Sequence, residues 1–165
     1  MPRLIPCDIG CEPSPSVPAE TLLQDSASTF LLFFACSRMV GTHGYFTDLG
    51  VAVVECVDCC ATRFGYPNDE GLPEHPLYDL GLDRLGSNVL EVEGSAWAGE
   101  VSAQRRLSAK RIWGREPERA NLPRHFVVCL KERTFECLAA DLSVRIFAKD
   151  FGEAFAYVQE RFRAN

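Results

Sequence analysis

Hydrophobic and polar positions along this chain change over in short blocks, broken by glycine and proline, rather than in long amphipathic stretches. Residues 29–36 (TFLLFFAC) form a continuous apolar run whose length suits a strand buried on both faces. Across 51–60, Ala52, Val54 and Cys56 fall on one side and Glu55 on the other, which predicts a second strand. Residues 88–93 (NVLEVE) predict a third, closed by Gly94. Residues 125–130 (HFVVCL) and 134–139 (TFECLA) flank the charged turn Lys131-Glu132-Arg133 and make the clearest hairpin, its second strand running on, bent, toward Phe147. Ser95 is placed to cap a helix over 95–108, which is filled by Ala, Glu, Gln and Arg. A second helix starts behind Asp150, with Glu153 at the capping-box position, and repeats Phe151, Phe155, Val158 and Phe162 on one stripe. That stripe needs a sheet face to cover it. A short helix starting near Pro18, turns at 41–44 and 48–50, a loop over 67–76 and an irregular connection over 109–124 complete the reading.

Strands in clusters, two helices and no regular strand–helix alternation predict an α+β domain with a mainly antiparallel sheet. Its core layout is a helix near 95–108 and the C-terminal amphipathic helix packed on that sheet. With 165 residues there is length for one domain, taken as 18–165. Five of the ten prolines fall in the first eighteen residues, so 1–17 reads as an irregular leader. No glycine-rich phosphate loop follows a strand and no Gly-x-Ser-x-Gly elbow occurs, so the common nucleotide and hydrolase classes lose their sequence support and no cofactor is expected.

Charge refines this picture. The formal net charge is −6, yet residues 1–104 carry 4 basic and 15 acidic side chains while 105–165 carry 13 and 8, so −11 faces +5. An acidic total argues against nucleic acid as the main partner, since phosphate binding rests on clustered cations. The basic stretch of Arg105, Arg106, Lys110, Arg111, Arg115, Arg119 and Arg124 reads as a solvated face balancing the acidic half, or as an anion-binding surface. The longest apolar run, Phe30 to Cys36, is far short of the ~20 residues of a spanning helix, and the start has no signal-peptide core. The expectation is a cytoplasmic protein, away from membranes, with reduced cysteines.

Eight cysteines invite a metal or redox reading. Cys56-Val-Asp-Cys59 has knuckle spacing, which makes Cys56 and Cys59 candidate zinc ligands or a redox pair. A second knuckle is missing, and on a regular strand Cys56 and Cys59 face opposite ways, so buried structural thiols are the simpler expectation. The loop 63–78 concentrates more polar chemistry. Tyr66, Asn68, Asp69, Glu70, His75 and Tyr78 stand between prolines just past a strand end, as a rigid polar site requires. Each also has a plain structural role open to it, such as the turn bonds of Asn68 and Asp69.

The blocks Phe64-Gly-Tyr-Pro-Asn-Asp-Glu70 with His75-Pro-Leu-Tyr78, and Arg124-His-Phe126 with Thr134-Phe-Glu-Cys-Leu-Ala139, resemble those of a family of uncharacterised bacterial proteins. The likeness spans roughly 62–140. Where that family pattern has a His and an Asp in the hairpin turn, this chain has Leu130-Lys131-Glu132-Arg133, so a role for those two residues does not carry over. What the resemblance implies is that the loop acts with Arg124 and His125 as one surface.

Three functions follow as expectations. The first is a non-catalytic domain that binds a small molecule or protein through the 64–78 loop. The second is metal-assisted hydrolysis, with Asp69, Glu70, His75 and His125 around one ion. The third is a zinc or redox module built on Cys56 and Cys59.

Overall fold

The apolar runs become two antiparallel sheets packed face to face, with helices on the outside. The computed structural model describes residues 1–37, 46–115, 122–148 and 150–164. The turn read at 41–44 and residues 116–121 of the connection lie outside these. In chain order the elements are β1 (Arg3–Pro6), β2 (Glu12–Pro13), β3 (Thr21–Gln24), β4 (Thr29–Cys36), β5 (Asp48–Val57), β6 (Ala61–Gly65), β7 (Val89–Glu93), α1 (Ala96–Trp113), β8 (Arg124–Cys129), β9 (Thr134–Ala139), β10 (Asp141–Phe147) and α2 (Phe151–Ala164). One sheet has the order β1-β7-β8-β9-β6; the other runs β10-β5-β4, with β2 and β3 both on the far edge of β4.

The two sheets share a bent ribbon. β5 pairs with β10, and one turn later β6 pairs with β9, so both chains of the pair leave one sheet and enter the other together. At the bend the ladder stays closed: Cys60 N–H donates to the Leu138 carbonyl at 2.8 Å, and Ala140 N–H to that of Val57 at 2.8 Å. Asp58, with φ of 50°, makes the corner on one chain. Strands that switch sheets through such corners are a known solution to closing a sandwich.

Between the sheets lie Leu31, Phe33, Ala52 and Val54 from one side and Phe126, Val128, Phe135 and Cys137 from the other, all buried. On the far face of β4 and β5, α2 presents Ala154 and Val158 to Phe30, Leu32, Val51 and Val53. Its phenylalanines extend the contact edge-on, Phe162 against Phe30 at 5.4 Å and Phe151 against Phe34 at 5.0 Å between ring centroids. The expected cap is present, as Glu153 N–H donates to Asp150 Oδ1 at 3.2 Å. The α+β class, the mainly antiparallel pairing and this helix-on-sheet layer agree with the sequence pattern.

Four expectations need correction. The proline-rich start is not irregular: β1 pairs along β7 and β2 against β4. Both take outermost positions, where a proline removes no ladder hydrogen bond, and Pro6 stands at the end of its strand. No helix begins near Pro18; the chain there is extended into β3. The glycine at 50 lies within β5 rather than ending a turn, and its φ of 101° and a 2.2 Å approach of a hypothetical Cβ to the Phe147 carbonyl leave room only for glycine. Finally α1 continues to Trp113, through the first part of the predicted connection, and stops at Gly114 in the left-handed conformation.

Candidate functional site

Strand alternation decides which side chains meet on the outer face of the first sheet. On β8, His125, Val127 and Cys129 point outward; on β9, Thr134, Glu136 and Leu138 do. Glu136 stands opposite Val127 on one side and Arg63 of β6 on the other, which makes His125 its diagonal neighbour. One half of this face is covered by the start of α1 and the other by the loop between β6 and β7.

The loop is fastened at several points. Thr134 Oγ1 donates to the Pro67 carbonyl at 2.8 Å, just after the cis Tyr66–Pro67 bond. Asp69 N–H donates to the Lys131 carbonyl at 3.2 Å, and Lys131 Nζ meets Asp69 Oδ2 at 2.6 Å. Asn68 Oδ1 accepts the Gly71 N–H at 2.9 Å. Beyond two short 3-10 turns, at Leu72–Glu74 and Tyr78–Leu80, Leu82 and its apolar neighbours pack on Leu90, Val92 and Val127. The result is that His75, only 5% exposed, is pressed beside Glu136, itself 7% exposed.

Glu136 is the centre that the sequence did not single out. His125 Nε2 donates to its Oε2 at 2.8 Å. Behind that ring, Ser95 accepts the Ala98 N–H at 3.1 Å as the cap of α1 and its hydroxyl meets His125 Nδ1 at 2.8 Å. His75 Nδ1 accepts the Leu77 N–H at 3.1 Å, which leaves Nε2 as the donor facing Glu136 Oε1 at 3.7 Å. Arg63 reaches the same oxygen at 3.5 Å, its guanidinium 4.0 Å above the Trp97 ring, and Trp97 in turn stands edge-on to His125. Burial pushes the Glu136 carboxyl upward, but its hydrogen-bonding and electrostatic interactions with His125 and His75 outweigh it and hold the group down at about 2.

That depression has a sign that can be tested. The folded value lies below the ordinary 4.5, so the unfolded chain takes up the proton first. The stabilisation is complete above about 4.5 and is lost as the pH falls toward about 2. Urea midpoints measured at pH 6, 4, 3 and 2 should fall through this window, and Glu136→Gln should flatten the slope. Equal slopes for the two proteins would show that other carboxylates set the acid limit.

The remaining expected site residues are placed as follows. Tyr66 is exposed on the cleft rim, and a bond from its hydroxyl to Glu74 raises that phenol. Tyr78 is raised in the same way by Asp83, which its hydroxyl meets at 3.0 Å. Asn68 and Asp69 serve the loop's own fastening, and Glu70 is exposed. Arg124 is bound away from the loop, by Glu91 at 2.6 Å and Asp141 at 2.8 Å. His75 and His125 are therefore brought together at Glu136, Tyr66 shares a cleft with His75, and the other five do not join them. The hydrolytic reading is corrected on this ground: Asp69 and Glu70 do not share a centre with the histidines. Among the described residues no group of three or more His, Cys, Asp or Glu side chains is arranged to hold a metal ion.

Arg63, Tyr66, His75, Pro76, Thr134 and Glu136 line a cleft of about 300 Å³, the low end for a small-molecule site. Ser95 and His125 are not part of its wall. The Ser95–His125–Glu136 order has the sequence of groups found in hydrolytic triads, but its hydroxyl caps a helix on the side of the imidazole away from the cleft.

Fold and site together define a two-sheet α+β domain with a buried carboxylate clamped between two imidazoles beneath a fastened loop. Comparison of the chain with protein-family models, with curated proteins and with solved structures gives no match. No helix among the described residues is long and apolar enough to cross a membrane.

Proposed function

We propose that the chain is a binding domain whose cleft beneath the 65–76 loop takes a small polar ligand, with Glu136 as the anchor. The observation that carries this is the inequality of the two carboxylate oxygens. Oε2 is held by His125 at 2.8 Å, whereas among the described residues the polar contacts of Oε1 lie at 3.5 and 3.7 Å, and Glu136 lines the cleft. An acceptor with spare capacity, negative and walled by low-dielectric side chains, selects a ligand that donates N–H groups: an amine, an amidine, a guanidine or a primary amide. Tyr66 at the rim offers a ring face for the remainder of such a molecule. Binding is favoured over catalysis because a carboxylate held near 2 is a poor base at neutral pH, where a catalytic group is tuned toward the working pH.

The experiment uses the imidazole C–H resonances. The chain has three histidines, so assignment is direct. Full-length protein is titrated with a panel of small amines, amidines, guanidines and primary amides. Saturable movement of the His75 signal in the native chain, lost in Glu136→Gln, is the expected result. A panel that never moves His75, or a response that survives in Glu136→Gln, overturns the reading.

A further inference from the structure

Among the described residues the two sheets have four outer edges, and three of them are blunted. β1 is four residues long, follows Pro2 and ends in Pro6. β2 has two residues, one of them Pro13, and β3 on the same edge has four. β6 stops at Gly65, just before Pro67. Short strands and outer prolines are ordinary means of keeping a sheet from pairing with another chain. β10 uses neither. It runs for seven residues without proline or glycine, each in one-to-one register with β5 from Asp141 to Phe147. No strand among the described residues pairs with its other side. A regular edge of this kind presents a row of N–H and C=O groups ready for a further strand.

We infer that β10 pairs antiparallel with the β10 of a second copy of this chain, about a two-fold axis at Ser143, and joins the two copies through one continuous sheet. The side chains of the strand select this register. Leu142 and Val144 pack on the inter-sheet core and Phe147 on the α2 side, so odd positions share the α2 face. A two-fold axis that keeps both copies of α2 on one face of the joined sheet sets odd residues opposite odd ones. Centred on Ser143, it stands Asp141 opposite Arg145 of the second copy, and by symmetry Arg145 opposite Asp141, with Leu142 opposite Val144. Centred on Val144 it would set Asp141 against Phe147, and centred on Leu142 against Ser143. Neither alternative pairs the charges.

Both charged groups stand where a second copy can reach them. Asp141, Ser143 and Arg145 are exposed. The Arg145 guanidinium rests over the Phe147 and Tyr157 rings, at 5.5 and 5.0 Å, and has no carboxylate partner among the described residues. Asp141 meets Arg124 through Oδ1 at 2.8 Å on the side toward the bend. An edge carrying charges of one sign repels its own copy, which is a common defence against self-pairing. Here the two charges of β10 are opposite in sign and two residues either side of Ser143, so the same strand attracts its copy at both ends of the ladder. An unrelated extended peptide would use the same backbone groups without any match to this spacing.

The test is sedimentation velocity of the full chain under reducing conditions. A two-strand contact falls in the small, weak class of interfaces, so the equilibrium is followed over about 10–500 μM. The expected result is a reversible monomer–dimer equilibrium in the native chain. Arg145→Asp sets like charges opposite each other twice and should weaken the dimer about tenfold or more, as should Asp141→Lys. An equimolar mixture of the two variants restores opposite signs at both sites and should recover the dimer. Circular dichroism checks that each variant is folded, and Arg145→Asp, which breaks no ion pair within the described residues, decides even if Asp141→Lys loses its fold. A native chain that stays monomeric overturns the inference and leaves the edge to a peptide of another protein. A dimer that Arg145→Asp does not weaken, or a mixture of folded variants no tighter than its components, places the association on another surface or register and overturns it equally.

Discussion

Glu136→Leu is expected to lower the unfolding free energy by about 3–5 kcal/mol, read as a drop in the urea midpoint at neutral pH. The size follows from what the carboxylate leaves behind. His125 Nε2 and His75 Nε2 are donors aimed at it, both rings are buried, and leucine returns no acceptor to either. Removing one partner of a buried polar cluster costs far more than the cluster contributes, because the orphaned groups keep their desolvation penalty. Glu136→Gln keeps an acceptor in the same place and should cost about 1–2 kcal/mol. Replacing Glu136, His75 and His125 together by apolar residues of similar volume should recover much of the loss. A cost for Glu136→Leu below about 1 kcal/mol would mean that the imidazoles find other partners and that Glu136 is not the centre of this face.

Phe126→Ala should be comparably severe, at about 3–5 kcal/mol. The ring is fully buried on the middle strand of its sheet and faces the opposite sheet, with Leu31, Phe33 and Val54 in the same cluster. Neither sheet can move in to fill the space, because the bent ribbon fixes their separation at one side. The contrast is Leu107→Ala on α1. Leu107 is 69% exposed, and its loss should change stability by about 0.5 kcal/mol or less. Equal effects of the two substitutions would contradict the assignment of the inter-sheet core.

What could be read in advance divides along the range of the interactions. β4, the β8–β9 hairpin and α2 are set by local pattern, turn and capping chemistry, and each lies where its residues place it. The Ser95 cap is equally local. β1, β2 and β6 are short, and their stability comes from partners far along the chain, so composition alone argued for a leader at 1–17 and left 61–65 unassigned. Glu136 escaped notice because an acidic residue alternating with Phe135 and Cys137 reads as the wet face of a half-buried strand. It is buried because α1 and the loop cover that face, which no local signal announces. The register of the hairpin held the clue, since pairing Val127 with Glu136 puts His125 on the diagonal. Opposite facing of Cys56 and Cys59 holds only on a continuous strand, and β5 ends at Val57 with a left-handed corner at Asp58.

The bent ribbon also bears on how the chain finds its fold. The β3–β4 and β8–β9 hairpins close over the short connections 25–28 and 130–133. The pairings of β1 with β7, β5 with β10 and β6 with β9 join segments far apart in the sequence, setting Arg3 beside Glu93, Val57 beside Asp141 and Ala61 beside Leu138. Each requires a long loop to close before any contact rewards it, so the search slows as the non-local share of contacts rises. Zipping of the ribbon, which aligns both sheets at once, is the natural rate-limiting event. The corner at Asp58 and Ala140 then belongs to the folding barrier as much as to the finished structure.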